Sequence, residues 1–359
     1  MKKRMLGFTC VTLLIASAIA GCGGGSNDSA SLSTVEKSSV GVESSAKEAD
    51  KGELTIGFSW SVCNDSLYYA MQDTLEDAVE KEALARGYEG VKWIHVVSGE
   101  DTQKQADDIE DLITHEVDAI FCYPYDMDAI KTSIKSARDE GIPFLTYDRN
   151  VSPDGEQPDA WIGLDSTQQA YDTAVALFQR MKDEGVEANN IIELIGDLGD
   201  INATNRIAGY EKAAKEFGYD IAVQVPTEWS ADTALTNLTS TWQTYSDSNC
   251  ILSASDIMSA TAVQSVLESA GKWIPNSEDN HVWYGSCDVF PAAIDQIKGG
   301  YLDYDAAYDV GAMADTAAPV VLDFIEGKGL GEDKEYACQA TVVDKDNIDG
   351  FDTLWSLNY

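Results

Sequence analysis

"VDAIFCYPYDMDAIKTSIKSARDEGIPFLTYDRNV" (residues 117–151) carries the pattern that decides the fold. The apolar run VDAIFCY (117–123) has the length and composition of a buried strand. MDAIKTSIKSARDEG (127–141) then spaces its apolar residues at the period of a helix, and IPFLTYD (142–148) returns to a strand. Strict strand–helix alternation implies a parallel sheet covered by helices on both faces. The unit ends unusually. A strand core normally gives way to Gly, Pro or Asn, yet here an acid and a base, Asp148 and Arg149, stand side by side.

The alternation extends in both directions. Upstream lie ELTIGFSW (53–60), a helix over 67–83, VKWIHVV (91–97) and the helix QADDIEDLITHE (105–116). Downstream, WIGLD (161–165) precedes a helix over 166–184. Four further strands follow, NIIELIG (190–196), IAVQVP (221–226), CILSAS (250–255) and HVWYGSC (281–287). They alternate with helices over 203–217, 232–245, 258–270 and 290–298. Glycines stand where helices should stop, at Gly87, Gly141, Gly185, Gly218, Gly271 and Gly299. These units are too many for one comfortable sheet. The expected fold class is α/β, with two doubly wound parallel-sheet lobes joined by short crossovers that act as a hinge.

In doubly wound sheets, ligands bind outside the carboxyl ends of the strands. The residues just past those ends are Asn64 and Asp65, Tyr123 to Asp126, Asp148 and Arg149, Asp197 to Asn205, Glu228 and Trp229, Ser255 and Asp256, and Cys287 and Asp288. The set is acidic, amide-bearing and aromatic. Sugars present hydroxyls, each both donor and acceptor, and apolar C–H faces. Carboxylates, amides and a guanidinium fork match the former, and aromatic rings the latter. On position alone, Asp148 and Arg149 read equally well as a salt-bridged turn. No G-x-x-x-x-G-K-[ST] or G-x-G-x-x-G follows the first strand, so nucleotide phosphates lack a cradle. Acids outnumber arginines, which disfavours anions. A neutral sugar fits best, and an amino-bearing ligand is compatible.

Little points to catalysis. His95, His115 and His281 sit in or beside predicted strands and helices and read as structural, and no G-x-S-x-G elbow occurs. A pair of cleft carboxylates gives a minor alternative, a secreted glycosidase. No cofactor and no metal are expected. The seven cysteines include no C-x-x-C pair and read as neither a disulfide framework nor a zinc site. A formal net charge of −38, spread along the chain, argues against DNA or RNA as partner.

The N-terminus predicts export. Lys2, Lys3 and Arg4 precede the uncharged apolar stretch MLGFTCVTLLIASAIA (5–20), which is short for a membrane span and is followed by small residues. Residues 1–21 therefore read as a signal peptide. Residues 22–52, rich in Gly, Ser, Asp and Glu, read as a tether that cannot bury enough surface to fold.

"IAGC" (19–22) resembles the bacterial lipobox, which implies a lipid on Cys22 and anchoring to the outer face of the cell membrane. With the tether, the tandem lobes, "TYDRNV" (146–151) and "GSCDV" (285–289), the chain resembles the ribose/galactose-type periplasmic sugar-binding proteins (type I fold), the substrate-binding components of bacterial sugar ABC transporters. The resemblance covers about 53–345. It implies sugar contacts from Asp65 and Tyr68 in "DSLY", and from Asp148 and Arg149. It further implies Arg206 with Asn205 or Asn202 in "NATNRIAGY", a stacking ring at Trp229, and Asp256 in "SASD". Asp288 and Asp305 complete the set, with Asp303 or Tyr308 as the alternative to the latter. It also implies one lobe from 53–164 plus 306–335 and another from 165–305 plus 336–359, a monomer that closes by a hinge on a monosaccharide or similar polyol, and delivery to an ABC transporter permease. A sugar-sensing subunit for a membrane histidine kinase is the alternative. A transcription regulator of this fold would need an N-terminal helix-turn-helix where this chain has a signal and tether.

Overall fold

The computed structural model describes residues 51–328, 334–351 and 354–358. The expected signal peptide, Cys22 and nearly all of the tether lie outside the described residues. The chain runs β1 (Lys51–Trp60), α1 (Ser66–Ala85), β2 (Tyr88–Val97), α2 (Thr102–Thr114), β3 (Ala119–Tyr123), α3 (Lys131–Asp139), β4 (Phe144–Tyr147) and β5 (Ala160–Leu164). It continues through α4 (Ser166–Asp183), β6 (Ile191–Ile195), α5 (Ile201–Phe217), β7 (Ile221–Pro226), α6 (Ala231–Thr244), β8 (Cys250–Ser253), α7 (Asp256–Ser269), β9 (Trp283–Asp288) and α8 (Pro291–Gly299). β10 (Tyr304–Ala307), α9 (Val310–Ile325), β11 (Glu335–Cys338) and β12 (Thr341–Val343) complete the sheets.

Two six-stranded sheets result, in the orders β11-β5-β4-β3-β1-β2 and β12-β10-β9-β8-β6-β7. Every pairing in the first sheet is parallel. In the second, only β12 runs antiparallel, against β10. Central strands β3, β6 and β9 are buried at every position, whereas the edge strands β2 and β7 are mostly half-buried or exposed. Helices on both faces of a parallel sheet leave its middle strands no solvent side, which is why those strands read as unbroken apolar runs.

The chain passes between the sheets three times: after β5, after β10 and between β11 and β12. The expected boundaries at 305/306 and 335/336 would cut β10 and β11. Instead β10 lies whole in the second sheet and β11 whole in the first. Within the expected second-lobe segment at the end of the chain, Ile348 and Leu354 pack in the second sheet's core, and Trp355 departs from it. Trp355 packs among residues of the first sheet's core and meets the Phe290 ring edge-on at 4.9 Å. A large indole near a terminus gains most by covering an apolar gap, and here the gap is between α1 and the start of α8.

Gly209 lets α5 approach α4. A Cβ added there would lie 2.3 Å from the Thr167 carbonyl oxygen and 2.9 Å from the Tyr171 nitrogen, both backbone atoms that cannot step aside. This contact holds α5 in the position from which Asn202 and Arg206 reach the cleft. Gly209→Ala should therefore lower stability by about 1–3 kcal/mol, as overpacking does. Calorimetric melting would show a drop of several degrees, and an unchanged melting temperature would mean that the helices have room to separate.

Candidate ligand site at the strand ends

The carboxyl ends of the two sheets face each other across one cavity with about 450 Å³ of empty space, its open mouth included. From the first lobe it is lined by Asp65, Leu67, Tyr68, Tyr123, Asp148, Arg149 and Tyr308. From the second come Asp200, Asn202, Arg206, Trp229, Ser255, Ile257, Asp288 and Phe290.

Asp148 sits just past β4 with φ +66°, a left-handed conformation rare for a residue with a Cβ. Its backbone is held from both ends: its N–H donates to the Ile162 carbonyl at 2.7 Å, and its carbonyl accepts from Trp161 Nε1 at 2.8 Å. The carboxylate accepts from the Tyr308 hydroxyl on Oδ1, and from Asn202 Nδ2 on both oxygens at 3.2 Å. Burial pushes the Asp148 carboxyl up to about 6, against the Tyr308 hydrogen bond, and the Asp200 charge adds to the rise. Arg149 is anchored in turn. Its Nη2 lies 2.8 Å from Asp200 Oδ2, its Nη1 donates to the Pro124 carbonyl at 3.3 Å, and its guanidinium stands 4.6 Å over the Tyr123 ring. Its Nε is buried without a partner.

The second lobe supplies a tight polar layer. Arg206, 4% exposed, donates from Nε and Nη2 to Gln169 Oε1, from Nη1 to the Ala254 carbonyl, and from both Nη atoms to Asp288 at 2.6 and 3.1 Å. All five N–H donors of the fork are thereby committed. Gln169 Nε2 donates to Asp288 Oδ1 at 3.1 Å. Asp288 has φ +101°, and Glu228, Trp229 and Val289 also lie at positive φ. Such strain costs of order 1–3 kcal/mol per residue and gathers at functional sites. Trp229 lies flat over Gly196, where a Cβ would stand 2.2 Å from the ring, and its Nε1 donates to Asp200 at 3.1 Å.

Seven of the ten expected residues line this cavity: Asp65, Tyr68, Asp148, Arg149, Arg206, Trp229 and Asp288. Asp65 also caps α1, accepting on Oδ1 from the backbone N–H of Leu67 and Tyr68. Three do not line it. Asn205 is turned away, and Asn202, one helical turn before Arg206, takes the position. Asp256 points inward from the start of α7 and accepts from the Phe290 N–H at 2.7 Å, so its neighbour Ser255 faces the cavity. Asp305 lies inside β10, while Tyr308, just past the strand's carboxyl end, reaches the site. Asp200, within the stretch 197–205 that follows β6, caps α5 and also lines the cavity, and a capping Asp before a helix is a readable signal.

Asp256 and Asp305 instead form a pair behind the site, both fully buried. Asp256 Oδ1 and Asp305 Oδ2 gain a hydrogen bond when one proton sits between the two groups. Both carboxyls are held well above the ordinary value, by burial first; next comes the Asp305 charge for Asp256 and the Asp288 charge for Asp305. Burial also pushes Glu193, in β6, up to about 8. Raised values mean that the folded chain binds protons more tightly than the unfolded one. The stability these groups lend is complete below their ordinary values and is lost as pH rises through the folded ones. Melting temperature should therefore fall from mildly acidic to alkaline pH. Asp305→Asn and Glu193→Gln should each flatten that fall and raise the alkaline melting temperature. Superimposable melting profiles for wild type and both variants would show the carboxyls to be ionised without cost.

A family model described as "Periplasmic binding protein domain" matches residues 56–329. The ribose import binding protein RbsB of Bacillus subtilis is 30% identical over 231 residues, covering 63% of this chain and 70% of its own. The xylitol-binding protein of Mycolicibacterium smegmatis is 25% identical over 255 residues, covering 69% and 67%. Among solved structures, an ABC transporter periplasmic solute-binding protein from Actinobacillus succinogenes with bound D-allose shares the fold with a TM-score of 0.71 at 22% identity. It covers 85% of this chain and all of its own.

Proposed function

The chain belongs to the periplasmic binding protein family, and from that premise we propose that its cavity captures a monosaccharide or similar polyol for delivery to an ABC transporter permease. The family is one of binding proteins, so the glycosidase alternative is set aside. The observation that carries the reading is the composition of the cavity: carboxylates from both lobes and the Asn202 amide converge with the rings of Tyr68 and Trp229 around one space. Hydroxyls need such acceptors and donors, and the C–H faces of a sugar need such rings. Relatives that import ribose or bind xylitol support the same class. The lipobox-like "IAGC" supports an extracytoplasmic protein tethered to the membrane through Cys22.

Closure is part of the reading. Arg149 with Asp200, and Asp148 with Asn202, join the lobes at the cavity. A ligand seated between the lobes would add its own bonds to both and favour the closed arrangement by mass action.

A thermal-shift and calorimetric panel of pentoses, hexoses, alditols and inositols tests this. A true ligand at 100 times its Kd stabilises by about 2.7 kcal/mol, and a panel in which no polyol shifts the melting temperature overturns the proposal. Asp148→Ala and Arg149→Ala should weaken binding more than about 100-fold while the unliganded protein stays folded. Asn202→Ala should weaken binding and Asn205→Ala should not; equal effects would deny the helical phase assigned here.

The protonation of Asp148 gives a second check. Its carboxyl titrates near 6 in the unliganded protein. A ligand that donates to the ionised form should bind progressively more weakly as pH falls from neutral through that value. Affinity that is flat with pH would show that Asp148 gives the ligand no charged acceptor.

A further inference from the structure

The cavity walls carry more negative charge than the walls themselves offset. Asp65, Asp148, Asp200 and Asp288 face only Arg149 and Arg206. Each guanidinium is matched to one carboxylate, Arg149 to Asp200 and Arg206 to Asp288. Asp148 is left with neutral donors, the Tyr308 hydroxyl and the Asn202 amide. Asp65 has backbone N–H groups on Oδ1, which leaves Oδ2 for a ligand.

The hydrogen-bonding balance leans the same way. Arg206 has no donor to spare, whereas Arg149 bonds Asp200 and the Pro124 carbonyl and keeps its buried Nε unpartnered. Of the two guanidiniums only Arg149 therefore keeps donors for a ligand, against four carboxylates. A hydroxyl brings one donor, whereas an ammonium brings three and a positive charge that offsets the excess.

We propose that the cavity prefers a small polyol bearing a protonated amine, an amino sugar or amino alditol, over the neutral counterpart, with Asp65 and Asp148 receiving the ammonium. This rests on the sugar-binding reading and narrows it. The unpartnered Arg149 Nε calls for an acceptor, so the ligand must keep hydroxyl oxygens beside its amine.

Isothermal titration at neutral pH decides the matter with matched pairs. The pairs are D-glucosamine with D-glucose, D-galactosamine with D-galactose, and the amino-deoxy form of any neutral polyol that binds in the wider panel. N-acetyl-D-glucosamine controls for bulk without charge. The amino member should bind about tenfold tighter or better, with the advantage reduced by salt. Asp65→Asn keeps a competent cap on α1 and should erase the preference, read as the ratio of the amino member's affinity to the neutral member's, whatever it does to either affinity alone. A neutral member that binds as tightly as its amine overturns the inference and leaves the sugar reading standing. If no sugar of either kind binds, the sugar reading falls and the inference with it. A folded Asp65→Asn protein that keeps the full preference removes Asp65 from the role.

Discussion

A carboxylate buried where two sheets meet must receive donors from both, and Asp148 does. Tyr308, at the crossover into α9, supplies one and Asn202, in the second lobe's α5, supplies the other. The left-handed turn that aims it is fixed by Ile162 and Trp161 of the neighbouring strand β5. Gly163 belongs to the same constraint, since a Cβ there would meet the Asp148 carbonyl oxygen at 2.5 Å. The strand order of the first sheet, the placement of α5 and the return of the chain after β10 all converge on one side chain. Unpaired, that burial would be expensive; paired from both lobes, it ties the geometry of each to the other.

The same logic extends one layer back. Gln169 on α4 orients Arg206 and Asp288 together, and Arg206 spends every donor doing so. Such a residue acts as a brace: its charge and its bidentate grip hold Asp288 in the orientation it presents to the cavity. Behind it, Asp256 and Asp305 share a buried space in which ionising either is costly and ionising both is costlier still. The second lobe thus presents a small number of open acceptors on a rigid backing, while the first lobe presents rings and the Asp148–Arg149 turn.

The sheets were legible in the sequence because two-sided burial writes itself as apolar runs, and helices between them keep a helical period. The edges β11 and β12 were less so: EYAC and TVV are short, and little distinguishes them from loop before their partners β5 and β10 are known. At the site, Asp148 and Arg149 stood out because charged residues ended an otherwise apolar strand. Between Asn202 and Asn205 helical phase decides: with Arg206 on the cleft face, position i−4 shares that face and position i−1 does not. Tyr308 and Asp305 differ by the end of a four-residue strand, a boundary that sequence alone locates poorly. Asp256 failed for a different reason. An acid in a helix's first turn normally faces solvent, and its inward turn is set by the Phe290 N–H, a contact distant in sequence.

The strained backbone at Asp148, Trp229, Asp288 and Val289 has a physical use in a protein of this kind. Association already costs translational and rotational freedom, and each side chain that must be ordered on binding adds to that cost. A site whose acceptors are held at unusual backbone angles by tertiary bonds has met the ordering cost during folding. The free energy for holding them comes from the two cores, which are large relative to the site. Each ligand bond formed is then less diluted by the cost of immobilising its partner. Strain at the strand ends and rigidity in the layer behind them are therefore one device.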